Sequence, residues 1–194
     1  MLDEKTAKLI LFAAVDPIDT FWQGEVLRSG AINTYQKITR GSAYLKIPDF
    51  SQIRNRVLRA NVEDLKFEIM AANSEFISSE DLDWPASCQD LSAPPIGLVI
   101  KGDRKLLAQL GNSISIVGSR RPTNYGLNVA NKLASDASKQ QIMVISGGAY
   151  GIDTAAHKAA IVAGGRTISV LAGGVSCLYP LENRELFSEI AKAG

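Results

Sequence analysis

Two glycine-rich turns, each set directly after a short apolar run, constrain this chain more than any other feature. The first lies in Ser115-Ile116-Val117-Gly118-Ser119-Arg120, the second in Val144-Ile145-Ser146-Gly147-Gly148-Ala149-Tyr150-Gly151-Ile152-Asp153. Each reads as a buried strand, a tight turn and the start of a helix. That order aims backbone N–H groups and a helix N-terminus at an anion. On neighbouring strands of one parallel sheet the two turns would form a single phosphate-binding ledge, with Arg120 as its fixed positive charge. The ligand class this implies carries several phosphates: a nucleotide or a nucleic-acid strand.

The surrounding pattern supports such a sheet. Strands are expected over 96–101, 114–117, 142–145 and 167–171, and helices over 104–110, 125–138, 153–163 and 182–193. The strands are continuous apolar runs, as in sheets covered on both faces. Alternation of strand and helix implies parallel pairing, with ligands beyond the carboxyl ends of the strands. Four strands are few for a doubly wound sheet, so a small domain or a fragment of a larger one is expected. Residues 1–72 read instead as a helical bundle. Leu9, Ile10, Phe12 and Ala13 share a face of a first helix, Asp16-Pro17 ends it, and Asp19 or Thr20 caps a second, which closes at Ser29-Gly30. A third piece falls around 32–38, and 54–70 shows helical spacing. Residues 73–95 read as a packed connection, because Phe76, Trp84 and Leu91 call for burial. The expected domains are therefore 1–72 and 73–194.

Composition narrows the function classes. The 194 residues carry a net charge of +1, so bulk charge does not announce a nucleic-acid binder. Cys88 and Cys177 are far apart and His157 is the one histidine, which points to reduced thiols and away from a metal site. No apolar run approaches the roughly 18 residues of a membrane span. Asp3 and Glu4 stand where a signal peptide would be basic. A cytoplasmic protein without membrane partners is expected.

Within the first turn, Gly118 permits close approach of a phosphate, Ser119 offers a hydroxyl, and Arg120 can bind phosphate in bidentate fashion. Arg121 follows as a possible support. The plain alternative is a surface arginine paired with a neighbouring loop. Within the second turn, Ser146, Gly147, Gly148, Ala149 and Gly151 are candidate phosphate contacts, and Asp153 is placed to cap the next helix or brace the loop. Here the alternative is that the glycines serve tight packing alone. The turn is neither a Walker loop nor a dinucleotide fingerprint. His157 reads as a structural hydrogen-bonder, and Ser146 with His157 lacks the strained elbow of a nucleophile. Gly173 and Gly174 are expected to extend the ledge. Tyr179 can stack on a base or anchor its loop.

Taken together, Phe76-Ile77-Ser78-Ser79-Glu80-Asp81 with Trp84-Pro85, Gly97 to Asp103, Ile116 to Arg120, Ser146 to Asp153 with Ala156-His157, and Tyr179-Pro180-Leu181-Glu182-Asn183 closely resemble the DprA/Smf DNA-processing family. The resemblance covers about 73–194. It implies a Rossmann-like parallel α/β sheet with flanking helices, preceded by a small helical, sterile-alpha-motif-like domain. It also implies binding and protection of single-stranded DNA during natural transformation, loading of the RecA recombinase, a homodimer, and no catalysis or cofactor. By resemblance, Arg120 grips DNA phosphate and Ser146 to Asp153 supply backbone contacts. Two departures stand out. Tyr150 replaces an arginine of many members, so a charge is lost and an aromatic ring that can stack is gained. The family core also normally continues beyond position 194, so only part of it is expected here. The competing reading is a nucleotide-binding or nucleotide-hydrolysing enzyme of the related lysine-decarboxylase-like group, whose P-G-G-x-G-T-x-x-E signature is absent.

Overall fold

Short polar side chains set the helix starts of the N-terminal half. Asp3 accepts from the Thr6 N–H at 2.7 Å and opens α1 (Glu4–Ala14). Asp19 accepts from the Phe21 N–H at 2.9 Å and opens α2 (Thr20–Ser29). These helices belong to a computed structural model that describes residues 2–17 and 19–193. Its contacts divide the chain into two compact units, Met1–Ile100 and Lys101–Gly194.

The first unit continues with α3 (Ala31–Arg40), α4 (Phe50–Arg59) and α5 (Val62–Ala71). The helical spacing over 54–70 is broken at Ala60, and Asn61 restarts it by accepting from the Glu63 N–H at 3.0 Å. Leu11, Ile38, Phe50 and Val57 form the core with Trp22, whose ring contacts Phe21, Tyr44 and Phe50. Beside them lies one buried carboxylate, Glu25. It accepts from Lys37 (2.8 Å), Arg28 (2.9 Å), Tyr44 Oη (2.6 Å) and Ser29 Oγ (3.0 Å). Burial alone would raise its pKa, but these four donors outweigh burial and hold it at about 2. The ion cluster thus ties α2 to α3 and to the Tyr44 loop.

Next come β1 (Glu75–Ile77), α6 (Ala86–Gln89) and β2 (Leu98–Ile100). Here the structure corrects the expected sheet. The apolar run over 96–101 joins no parallel sheet: β2 pairs antiparallel with β1, Phe76 opposite Val99. A short apolar run predicts a strand but does not name its partner. This pairing also moves the division between compact units to Ile100, later in the chain than the composition change near 72. Trp84 is buried and Phe76 packs on Phe12 at 5.4 Å, whereas Leu91 is exposed. A single exposed leucine is ordinary.

In the second unit a 3₁₀ helix (Arg104–Asn112) leads into β3 (Ser113–Ser115), α7 (Asn124–Lys139), β4 (Met143–Ser146), α8 (Ile152–Val162) and β5 (Thr167–Ser169). A second 3₁₀ turn (Leu181–Asn183) and α9 (Arg184–Ala193) follow. The sheet is parallel in the order β3-β4-β5, a Rossmann-like α/β arrangement. Ile116 and Val144 pack against Ala130, Ala134, Ala137, Ala156 and Ala160. The small alanines let α7 and α8 approach the strands closely. Phe187 and Ile190 of α9 pack with Ile161 and Leu171. Just past the ends of β3 and β5, Val117 and Val170 are exposed. The continuous apolar runs had implied cover on both faces.

Candidate nucleic-acid interface

Because β3 and β4 are adjacent and parallel, the turns that leave them emerge side by side at one end of the sheet. The Ile116 N–H donates to the Ile145 oxygen at 2.9 Å, carrying the ladder into the first turn. There the turns meet. The Ile152 N–H donates to the Ser119 oxygen at 3.2 Å. Gly151 has φ +83°, and a Cβ on it would fall 2.3 Å from the Ser119 oxygen and 2.8 Å from Pro122 Cδ. Only glycine fits at this crossing. The two turns are thus one continuous surface, as the sequence predicts.

The structure revises which groups that surface offers. Ser146 is buried, and its hydroxyl donates to the Ile116 oxygen at 2.6 Å. It locks β4 to the first turn and is not presented to a ligand. Asp153 is also buried and accepts from the N–H groups of Gly147 (3.2 Å) and Ala149 (3.4 Å). It braces the loop from within, so these two donors are committed to the protein. The carbonyl groups of the loop are held too. Thr154 Oγ1 donates to the Ala149 oxygen at 2.7 Å, and Asn183 Nδ2 donates to the Gly148 oxygen at 3.0 Å and to Thr154 Oγ1 at 2.7 Å. Sequence reasoning gave Asn183 no role, although it stands in a motif that carried the family resemblance.

What remains open is narrower than the full pair of turns. Among the described residues, the N–H groups of Gly118, Ser119 and Arg120 donate to no protein acceptor, nor do those of Gly148, Tyr150 and Gly151. Ser119 Oγ accepts from the Arg121 N–H at 3.0 Å, which rounds off the first turn. Arg120 is exposed, and its side chain has no hydrogen bond or ion pair among the described residues. A surface arginine tied to a neighbouring loop is therefore not what the structure holds. Arg121 is exposed beside it. Gly173 and Gly174 follow β5 on the far side of β4 and form a turn of their own, with the Gly174 N–H on the Leu171 oxygen at 3.2 Å.

Two aromatic rings border the second turn. The Tyr150 hydroxyl donates to the Glu182 carboxylate, and its ring meets Tyr179 at 6.2 Å and 81°. The hydrogen bond to Glu182 pushes the Tyr150 phenol up to about 12 and holds the Glu182 carboxyl below its usual range. Tyr150 therefore stays a neutral donor at physiological pH.

His157 lies beneath the surface, fully buried. Its Nδ1 is 2.7 Å from Thr167 Oγ1, which itself donates to the Val144 oxygen at 2.8 Å. Thr167 has no second proton, so Nδ1–H is the donor. Burial pushes its pKa down to about 4, against a smaller opposing pull from Asp153. The ordinary value is 6.5, so the unfolded chain binds more protons between these limits. The stability His157 confers is complete above pH 6.5 and is lost as pH falls through about 4, a span worth about 3 kcal/mol. Urea unfolding between pH 7 and pH 4.5 should lose less stability in His157→Gln than in wild type. Equal losses would contradict this assignment.

Among the described residues, no group of three or more His, Cys, Asp or Glu side chains could hold a metal ion. Nor is any helix long and apolar enough to cross a membrane.

Residues 75–194 match the family described as DNA recombination-mediator protein A. The chain is 37% identical over 177 residues to the DNA processing protein DprA of Bacillus subtilis, covering 89% of this chain and 57% of that protein. It is 31% identical over 176 residues to a putative DprA of Mycobacterium tuberculosis, covering 85% of this chain and 45% of the other. The chain thus spans about half the length of the curated relatives it matches. Among solved structures it is similar to DprA from Streptococcus pneumoniae, with a TM-score of 0.72 at 23% identity over 98% of this chain and 65% of the other. It is also similar to DNA processing protein A from Helicobacter pylori, a protein studied for its single-stranded DNA binding mode. That match has a TM-score of 0.53 at 30% identity over 63% of this chain and 54% of the other.

Proposed function

Because the chain belongs to the DNA recombination-mediator protein A family, we propose that it binds single-stranded DNA along the ledge of its two joined glycine turns. One observation carries this reading: among the described residues, Arg120 stands exposed and unpaired beside the open N–H groups of Gly118 and Ser119. A guanidinium and a row of amides on a projecting turn suit a run of phosphates. The wider role we infer is the family's: protection of incoming single strands in natural transformation, hand-over to the RecA recombinase, and action as a homodimer in the cytoplasm. Binding is favoured over nucleotide hydrolysis by the state of the two carboxylates near the turns. Asp153 is buried on backbone N–H groups and Glu182 is tied to Tyr150, so neither is poised as an acid or base.

Fluorescence anisotropy with a labelled single-stranded oligonucleotide tests the proposal. The logarithm of affinity should fall linearly with the logarithm of salt concentration. Mononucleotides should compete poorly. Salt-independent binding, or mononucleotides binding as tightly as the oligonucleotide, would overturn it.

A further inference from the structure

Phosphate contacts fix a strand's position but do not tell a single strand from a duplex. A site that selects single strands needs a surface for unstacked bases, and aromatic faces provide one for any base. The second turn has such a surface beside it. Tyr150 stands between Gly148 and Gly151, and Gly151 is pressed against Ser119, so the residue belongs to the turn that adjoins the one carrying Arg120. Tyr179 meets Tyr150 at 81° and is 60% exposed. A ring that merely anchored its loop would be buried. Glu182 takes the Tyr150 hydroxyl and so fixes the ring that Tyr179 meets.

Charge separates the two parts of the surface. Glu182 is anionic and repels phosphate at the tyrosines, whereas Arg120 attracts it at the first turn. We propose that Tyr179, buttressed by Tyr150 and Glu182, is a stacking platform for a base of the strand whose phosphates lie on the ledge. Single-strand selectivity then comes from the platform, since a duplex keeps its base faces inside. This inference rests on the reading of the ledge as a single-stranded DNA site.

The test uses two single-stranded oligonucleotides with equal numbers of phosphates, one with bases and one abasic, plus a 2-aminopurine version of the first. Tyr179→Ala should bind the intact strand roughly tenfold more weakly and the abasic strand as wild type does. It should also lose the fluorescence quenching that stacking gives 2-aminopurine. Tyr179→Phe should restore both, because stacking needs the ring and not the hydroxyl. Arg120→Ala should weaken both strands alike. If Tyr179→Ala changes neither strand, or both equally, the platform is overturned while the ledge stands. If wild type binds neither strand, the ledge itself fails.

Discussion

Gly151→Ala is expected to destabilise the protein by on the order of 3 kcal/mol or more. Two independent causes add. At Gly151 the backbone has φ +83° and ψ −118°, a region open in practice to glycine alone. The added Cβ would also meet the Ser119 oxygen at 2.3 Å, and that oxygen is backbone held by the Ile152 N–H. No rotamer change relieves the clash, so the two turns must separate. Gly164→Ala is the control. It has φ +72° with nothing within 4 Å of the added Cβ, so it carries strain without collision and should cost only about 1 kcal/mol. Urea denaturation of both variants distinguishes the causes. Equal losses would mean that the turns are not pressed together as described.

The second large effect is on binding. Arg120→Ala should weaken single-stranded DNA binding about 10- to 100-fold, the range of one charge-assisted contact. The loss should be similar for all base sequences, because phosphate carries none. Folding stability should stay within about 0.5 kcal/mol, since the side chain is exposed and engages no other group among the described residues. Arg120→Lys should recover only part of the affinity, as an ammonium keeps the charge and loses the planar fork.

Local chemistry was legible in the sequence wherever neighbours in the chain decide it. Asp19 caps α2 because its acceptor is two residues from its donor, and both strand–turn–helix units appear where the apolar runs meet glycine. Their adjacency followed from alternating elements. The illegible parts depend on partners distant in the chain. The run over 96–101 is apolar whichever strand it pairs with, and β1 takes it. Ser146 read as a ledge residue because a hydroxyl beside glycines suits a ligand, whereas Asp153 read as a helix cap or a brace of its loop. In the fold the first turns inward to Ile116 and the second takes two amides of its own loop. His157 remained a structural candidate until Thr167, ten residues on, supplied its partner. Tyr179 was balanced between anchor and platform, and its exposure supports the platform proposed above.

The most direct test of the ledge is the salt dependence of oligonucleotide binding by wild type and Arg120→Ala under identical conditions. Each phosphate contact on a single strand contributes a slope of about 0.7 in the plot of log affinity against log salt. The variant should bind more weakly and its line should be shallower by about that amount. Parallel lines for the two proteins would contradict a phosphate contact at Arg120 and, with it, the ledge as the binding surface.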